Sequence, residues 1–240
     1  MEMLCCLSLI FKIMIKITNK KIKSADNHVL PYIQYEPDKS LIAKSIILVY
    51  EIFGFTSHIK NVASEYAKNG FLVAIPDIFS RLKNNVNLPY DKNGITEGLN
   101  LKEKLGWDLP VMDIVALGAS LKVDNNLAVL GYCYGGSLAW LTIQKSFIFD
   151  KGICYYGSNI PTFLQSNLNC PAMLHFGKED KGIPDSDINK IKEFINKDKN
   201  KVELYEYKNA DHGFNCSERK SYNKIAAENA FEKTLTFLKS

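Results

Sequence analysis

The stretch GYCYGGSLAW (131–140) decides how this chain folds. Upstream of it, NLAVL (126–130) is an apolar run of strand character. Downstream, GGSLAWLTIQ (135–144) continues at helical period. Cys133 thus sits where a buried strand turns sharply into a helix, flanked by Gly131 and Gly135 with Gly136 beyond. Small residues two before and two after the turning residue are what such a tight strand-to-helix connection requires, because the backbones of strand and helix nearly touch there. Two readings of Cys133 fit: a thiol raised above a sheet, or a small buried residue beside flexible glycines.

Outward from this turn the pattern alternates. KSIILVYE (44–51) is a continuous β-branched apolar run, the mark of a strand buried on both faces. SHIKNVASEYAKNG (57–70) follows at helical spacing between a Ser start and a Gly stop. FLVAIPD (71–77) is another buried strand, and a polar connection (78–95) leads to a helix within 96–120. After the central turn come KGICYYG (151–157) and PAMLHFG (171–177) as strands and DSDINKIKEFINK (185–197) as a helix. KVELYEY (201–207) is a further strand, and SYNKIAAENAFEKTLTFLKS (221–240) a closing helix. IMIKITN (13–19) and VLPYIQYEP (29–37) read as early antiparallel strands joined by a turn at SADN (24–27). This order predicts an α/β fold with a mainly parallel sheet and helices on both faces, whose ligands bind beyond the carboxyl ends of the strands.

Composition fits that picture. The chain has 240 residues, 46% of them hydrophobic and 23% charged, enough for a sizeable core in one domain. Thirty basic and 26 acidic residues give a net charge of only +4, and the lysines are spread rather than blocked, which argues against nucleic-acid binding. The six cysteines show no CxxC or Cys/His ligand spacing, so free thiols in a reducing compartment are expected, with no metal site. LCCLSLIF (4–11) is too short to span a membrane and lacks a signal peptide's flanks. Residues 1–13 are read as an N-terminal extension, 14–240 as the single domain, and the protein as cytoplasmic.

The polar motifs all fall at strand ends. HFGKEDKGIP (175–184) carries Asp180 in a glycine-bearing loop, and NADHGFNC (209–216) carries His212. A nucleophile, then an acid, then a histidine is the chain order of a triad in this architecture. His212 Nδ1–H held by Asp180 would leave Nε2 free to take the Cys133 proton. Of the other histidines, His28 and His58 precede the turn, and His175 lies inside an apolar strand where a satisfied core role is expected. Glu51 closes the KSIILVY run, where its carboxylate is either desolvated or paired, or faces water.

Taken together, GYCYGG, YEIFG (50–54), PDIFSR (76–81), KEDKGIP (178–184) and DHGF (211–214) resemble the dienelactone hydrolases (carboxymethylenebutenolidases) from about Met14 onward. These are a cysteine branch of the α/β-hydrolase fold. The resemblance implies a triad of Cys133, Asp180 and His212, with Glu51 contacting the resting thiol. It implies an oxyanion hole from the backbone N–H groups of Ile52 and Tyr134, and an acyl-thioester intermediate with no metal or organic cofactor. It also implies that Arg81 binds a substrate carboxylate, with Tyr155 or Tyr156 lining the pocket. The chain departs from the pattern at Cys216, where the family places a second arginine; Arg219 stands three residues on, and polar KNNVNL (83–88) replaces expected aromatics. The expected substrate is a small anionic ester or lactone, with a monomer or weak homo-oligomer as the working form. A broad carboxylesterase or thioesterase, and a silent scaffold that binds a ligand, are the alternatives.

Overall fold

In the computed structural model, residues 14–38, 44–122, 127–165, 167–198 and 202–240 are described; the expected extension at 1–13 lies outside them. The strands are β1 (Lys16–Lys23), β2 (Val29–Glu36), β3 (Lys44–Val49), β4 (Phe71–Pro76), β5 (Leu127–Tyr132), β6 (Lys151–Tyr155), β7 (Ala172–Gly177) and β8 (Val202–Tyr207). They form one sheet in the order β1-β2-β4-β3-β5-β6-β7-β8. The β1–β2 and β2–β4 pairings are antiparallel, as the early hairpin predicted, and the others are parallel. In β3 every residue from Ser45 to Val49 is buried in succession, so both faces of the sheet are covered there.

The helices are α1 (Ser57–Lys68), α2 (Lys92–Leu105), α3 (Asp108–Leu121), α4 (Tyr134–Lys145), α5 (Asp185–Asp198) and α6 (Lys224–Lys239). Thr56 caps α1 by accepting from the Ile59 N–H, and Asp91 caps α2 by accepting from the Gly94 N–H. Tyr66 of α1 packs on Phe231 of α6, and Trp140 of α4 on Phe194 of α5. Where the sequence predicted one helix within 96–120, two occur. Gly106 at φ +71° closes α2, and Trp107 turns the chain into α3.

The sheet's order reverses beside β3: the chain steps from β3 to β4 on one side, then returns to β5 on the other. That switch point opens a crevice at the carboxyl ends of the strands. Register then fixes what meets there. Val49 of β3 pairs with Gly131 of β5, so Glu51 and Cys133 each lie two residues beyond a paired position. Gly177 of β7 pairs with Tyr207 of β8, which sends the loops bearing Asp180 and His212 out from neighbouring strands.

Candidate active site

Cys133 stands between β5 and α4 with φ 55° and ψ −115°, a conformation non-glycine residues rarely hold. The turn is held by the Cys133 N–H donating to the Tyr155 carbonyl at 2.9 Å, and by the Ser137 N–H donating to the Cys133 carbonyl at 3.1 Å. Gly131 is required on steric grounds: a Cβ there would lie 1.9 Å from the Gly135 carbonyl oxygen. At Gly135 a Cβ would meet the Val49 carbonyl oxygen at 2.2 Å. With these two glycines the strand and helix close tightly enough to push the cysteine side chain out over the start of α4, whose dipole favours negative charge.

His212 faces this thiol. Its Nδ1 is 2.8 Å from Asp180 Oδ2, and Asp180, itself buried, accepts from the Gly182 N–H through Oδ1 at 2.9 Å. Both carboxylate oxygens are therefore committed, which fixes the carboxylate's plane and through it the imidazole ring. Burial works against a charged imidazole here. Electrostatic attraction to Cys133, with the hydrogen bonds the imidazole makes to Asp180 and Cys133, outweighs it and lifts the His212 pKa to about 10. The Tyr156 ring packs 5.1 Å from the imidazole. His175, by contrast, is fully buried between the Tyr207 hydroxyl (2.9 Å) and Thr234 Oγ1 (3.0 Å), and burial pulls its pKa down to about 3.

Glu51 is buried and paired. Arg219 Nη1 lies 3.3 Å from Glu51 Oε1, and the Tyr90 hydroxyl donates to Oε2 at 3.4 Å. The guanidinium in turn lies over the rings of Phe53 and Tyr90, 5.7 and 6.0 Å from their centroids. Ligand atoms of Glu51, His58 and Cys216 come within 4.8 Å of one another, all three residues buried. Burial pushes the Cys216 thiol up to about 11, and the Glu51 charge adds to the effect.

Cys133, His212 and Asp180 line one pocket of about 360 Å³. Ile52, Phe53, Ile95 and Leu99 supply an apolar wall, and Lys102, Lys181 and Arg219 bring positive charge. Ile52 and Tyr134 also line it, and among the described residues the backbone N–H of neither donates to another residue. The pocket thus brings a cysteine thiol, a histidine held by a carboxylate, and the residues Ile52 and Tyr134 around one open space.

Comparison with known proteins settles the lineage. The dienelactone hydrolase family profile matches residues 31–240. The chain belongs to the dienelactone hydrolase family. Members of this family are hydrolases acting on ester bonds. A carboxymethylenebutenolidase of Pseudomonas putida is 26% identical over 224 residues, spanning 90% of this chain and 94% of that protein. A candidate carboxymethylenebutenolidase of Synechocystis is 29% identical over 203 residues, 78% of this chain and 82% of its own length. In fold, the chain is similar to a candidate dienelactone hydrolase from Klebsiella pneumoniae, with TM-score 0.82, 21% identity and 95% and 99% of the two chains covered. It is also similar to a dienelactone hydrolase-like promiscuous phosphotriesterase from metagenomic libraries, with TM-score 0.75 and 17% identity over 93% and 98%.

Within this dienelactone hydrolase scaffold several expected residues lie elsewhere. Arg81 does not line the pocket. Its Nε and Nη2 donate to the two oxygens of buried Asp113, each at 2.8 Å, and Nη1 and Nη2 reach Asp26 at 2.7 and 3.0 Å. Two carboxylates occupy the fork, so it ties the β1–β2 turn to α3 and is not free for a ligand. Tyr155 is wholly buried, its hydroxyl 2.8 Å from Thr234 Oγ1, and Tyr156 is buried beneath His212 without lining the pocket. Among the described residues no hydrogen bond joins Glu51 to Cys133; Arg219 and Tyr90 hold the carboxylate instead.

Other site residues were passed over in the sequence. Tyr90, two residues past KNNVNL, brings an aromatic ring against Arg219 and its hydroxyl to Glu51. That segment is stitched to the Phe53–Phe55 loop through Leu88 N–H to Phe53 O (2.9 Å) and Phe55 N–H to Val86 O (2.7 Å). Lys102 sits in a helix of charged residues, where nothing in sequence marks one lysine as facing inward.

Proposed function

We propose that this protein hydrolyses ester or lactone bonds of small anionic substrates, with Cys133 as nucleophile. The observation that carries the reading is the meeting, in one pocket, of Cys133 on its strained turn with His212 held by Asp180. Cys133 passes its thiol proton to His212, whose charged form the hydrogen bond to Asp180 favours. The thiolate attacks the substrate carbonyl carbon, and the carbonyl π-electrons move to oxygen. The backbone N–H groups of Ile52 and Tyr134, residues that line the pocket with Cys133, receive that oxyanion. Collapse expels the alkoxide, which takes the proton from His212 and leaves an acyl-thioester; in a lactone the new hydroxyl stays tethered. Neutral His212 then removes a proton from water, hydroxide adds to the thioester, and the thiolate departs while His212 regains its charge.

The lining supports a small anion. Arg219 and Lys102 face the pocket, and the apolar wall of Ile52, Phe53, Ile95 and Leu99 suits a short hydrocarbon body. The same wall favours a second reading, a broad carboxylesterase indifferent to substrate charge. A panel of activated esters and lactones, with and without a free carboxylate, separates the two. Wild type should release product and accumulate an acyl adduct on Cys133 detectable by intact mass. A Cys133→Ala variant that hydrolyses these substrates as fast as wild type would sink the nucleophile assignment.

A further inference from the structure

The pocket's positive charges differ in how they are balanced. Arg219 is paired with Glu51 at 3.3 Å, and Lys181 is exposed on the loop after β7. Arg81, spent on Asp26 and Asp113, is outside the pocket. Lys102 is the remaining case. It projects from α2 into the pocket, half-buried, and forms no ion pair with a carboxylate among the described residues. Its ammonium donates to a neutral acceptor, Asn159 Oδ1, at 2.8 Å. It also lies over two aromatic faces, 5.2 Å from the Trp107 centroid and 5.7 Å from that of Tyr134.

Such a mount fixes the position of the charge without neutralising it. Aromatic quadrupoles and one amide oxygen hold an ammonium in place, while a carboxylate would cancel it. Burial lowers the Lys102 pKa, and the charge at Cys133 raises it, so the two groups feel each other across the pocket. Tyr134, one of the two rings under Lys102, also offers the backbone N–H beside the nucleophile. An uncompensated, pre-positioned cation beside a reacting centre is complementary to an anionic group on whatever reacts there.

We propose that Lys102 is the specificity-determining residue of this hydrolase, accepting a carboxylate carried by the ester or lactone substrate. This rests on the reading of Cys133 as nucleophile. The role expected of Arg81 thereby passes to a residue on a different element, at the opposite end of the segment that connects β4 to α3. The bound carboxylate replaces water around the ammonium and places the scissile carbonyl relative to Cys133.

The test uses matched esters: para-nitrophenyl hydrogen glutarate, which carries the free carboxylate, and its methyl ester, which does not. Lys102→Gln keeps a donor for Asn159 and removes the charge; Lys102→Met removes both. The wild-type preference for the free acid, as a ratio of kcat/KM values, should fall about tenfold or more in both variants, chiefly through KM, the scale of one charged hydrogen bond. A ratio unchanged from wild type, or both esters slowed by one common factor, would assign Lys102 to holding α2 against Asn159 and overturn the proposal. Calorimetric binding of monomethyl glutarate to Cys133→Ala gives a readout independent of chemistry. Binding should be lost in the Cys133→Ala/Lys102→Gln double variant, and its retention there also overturns the proposal. Wild type that turns over neither ester, with glutarate binding still dependent on Lys102, would sink the nucleophile reading and leave this one standing.

Discussion

Asp180 Oδ2 lies 2.8 Å from His212 Nδ1, and the other oxygen of the same carboxylate is held by the Gly182 N–H. The acid cannot turn away from the ring without breaking a second bond. One ring nitrogen is thereby committed to Asp180 and the other to the space beside Cys133. Asp180→Asn keeps the shape but withdraws the negative charge that steadies the imidazolium, and allows the opposite tautomer. The kcat/KM for activated esters should fall about a hundredfold or more with the circular dichroism spectrum unchanged. A loss smaller than threefold would remove Asp180 from the mechanism.

The raised His212 pKa makes a prediction about stability. Its folded value of about 10 exceeds the ordinary 6.5, so across that interval the folded protein binds a proton that the unfolded chain has lost. The stabilisation is complete below about 6.5 and is lost as pH rises through about 10. Burial opposes the charge, and Cys133 is the strongest group supporting it, so Cys133→Ala should flatten this dependence. Melting temperatures of wild type and Cys133→Ala, taken from pH 6 to pH 10, should converge toward the alkaline end. Parallel curves across the range would show that the pair carries no such linkage.

What could be read in the sequence follows from the range of the forces involved. Buried strands such as IILV (46–49) announce themselves because both faces need apolar side chains, and the elbow announces itself because Gly131 and Gly135 are forced by contacts within one turn. Asp180 and His212 come together at one pocket because strand ends confine where their loops emerge. Arg81 was misplaced for the opposite reason. Its partners, Asp26 and Asp113, lie 55 and 32 residues away in sequence, and no local pattern reveals that a long cation is already spent. Lys102 was passed over on the same ground, since its mount of Asn159, Trp107 and Tyr134 is assembled from three separate elements.

Arg81 should matter for stability more than for turnover. Asp113 is fully buried, and besides Arg81 it is met by the Ser24 hydroxyl. Arg81→Ala leaves that carboxylate without its counter-charge. The cost should be about 3 kcal/mol, the low end for a broken buried pair because Arg81 retains some solvent contact. That corresponds to roughly 6–12 °C in melting temperature for a domain of this size. Arg81→Ala/Asp113→Asn should recover part of the loss. A carboxylate-specific rise in KM without loss of stability in Arg81→Ala would return Arg81 to the substrate site.

Gly131→Ala tests whether the elbow is a steric necessity. Gly131 has an ordinary φ, so alanine there suffers no backbone penalty of its own. The obstacle is contact: the new Cβ would lie 1.9 Å from the Gly135 carbonyl oxygen and 2.7 Å from the Gly136 nitrogen. Both are backbone atoms of the turn that holds Cys133, and neither can rotate aside as a side chain can. Strand and helix must separate, which displaces Cys133 from His212 and opens the packing of α4 on β5. Overpacking of this kind costs about 3 kcal/mol or more. The variant should melt roughly 6–12 °C or more below wild type, and its folded fraction should hydrolyse activated esters at least about a hundredfold more slowly. A Gly131→Ala protein with wild-type melting and turnover would mean that the turn tolerates a side chain, and the glycine would then lose its role in presenting Cys133.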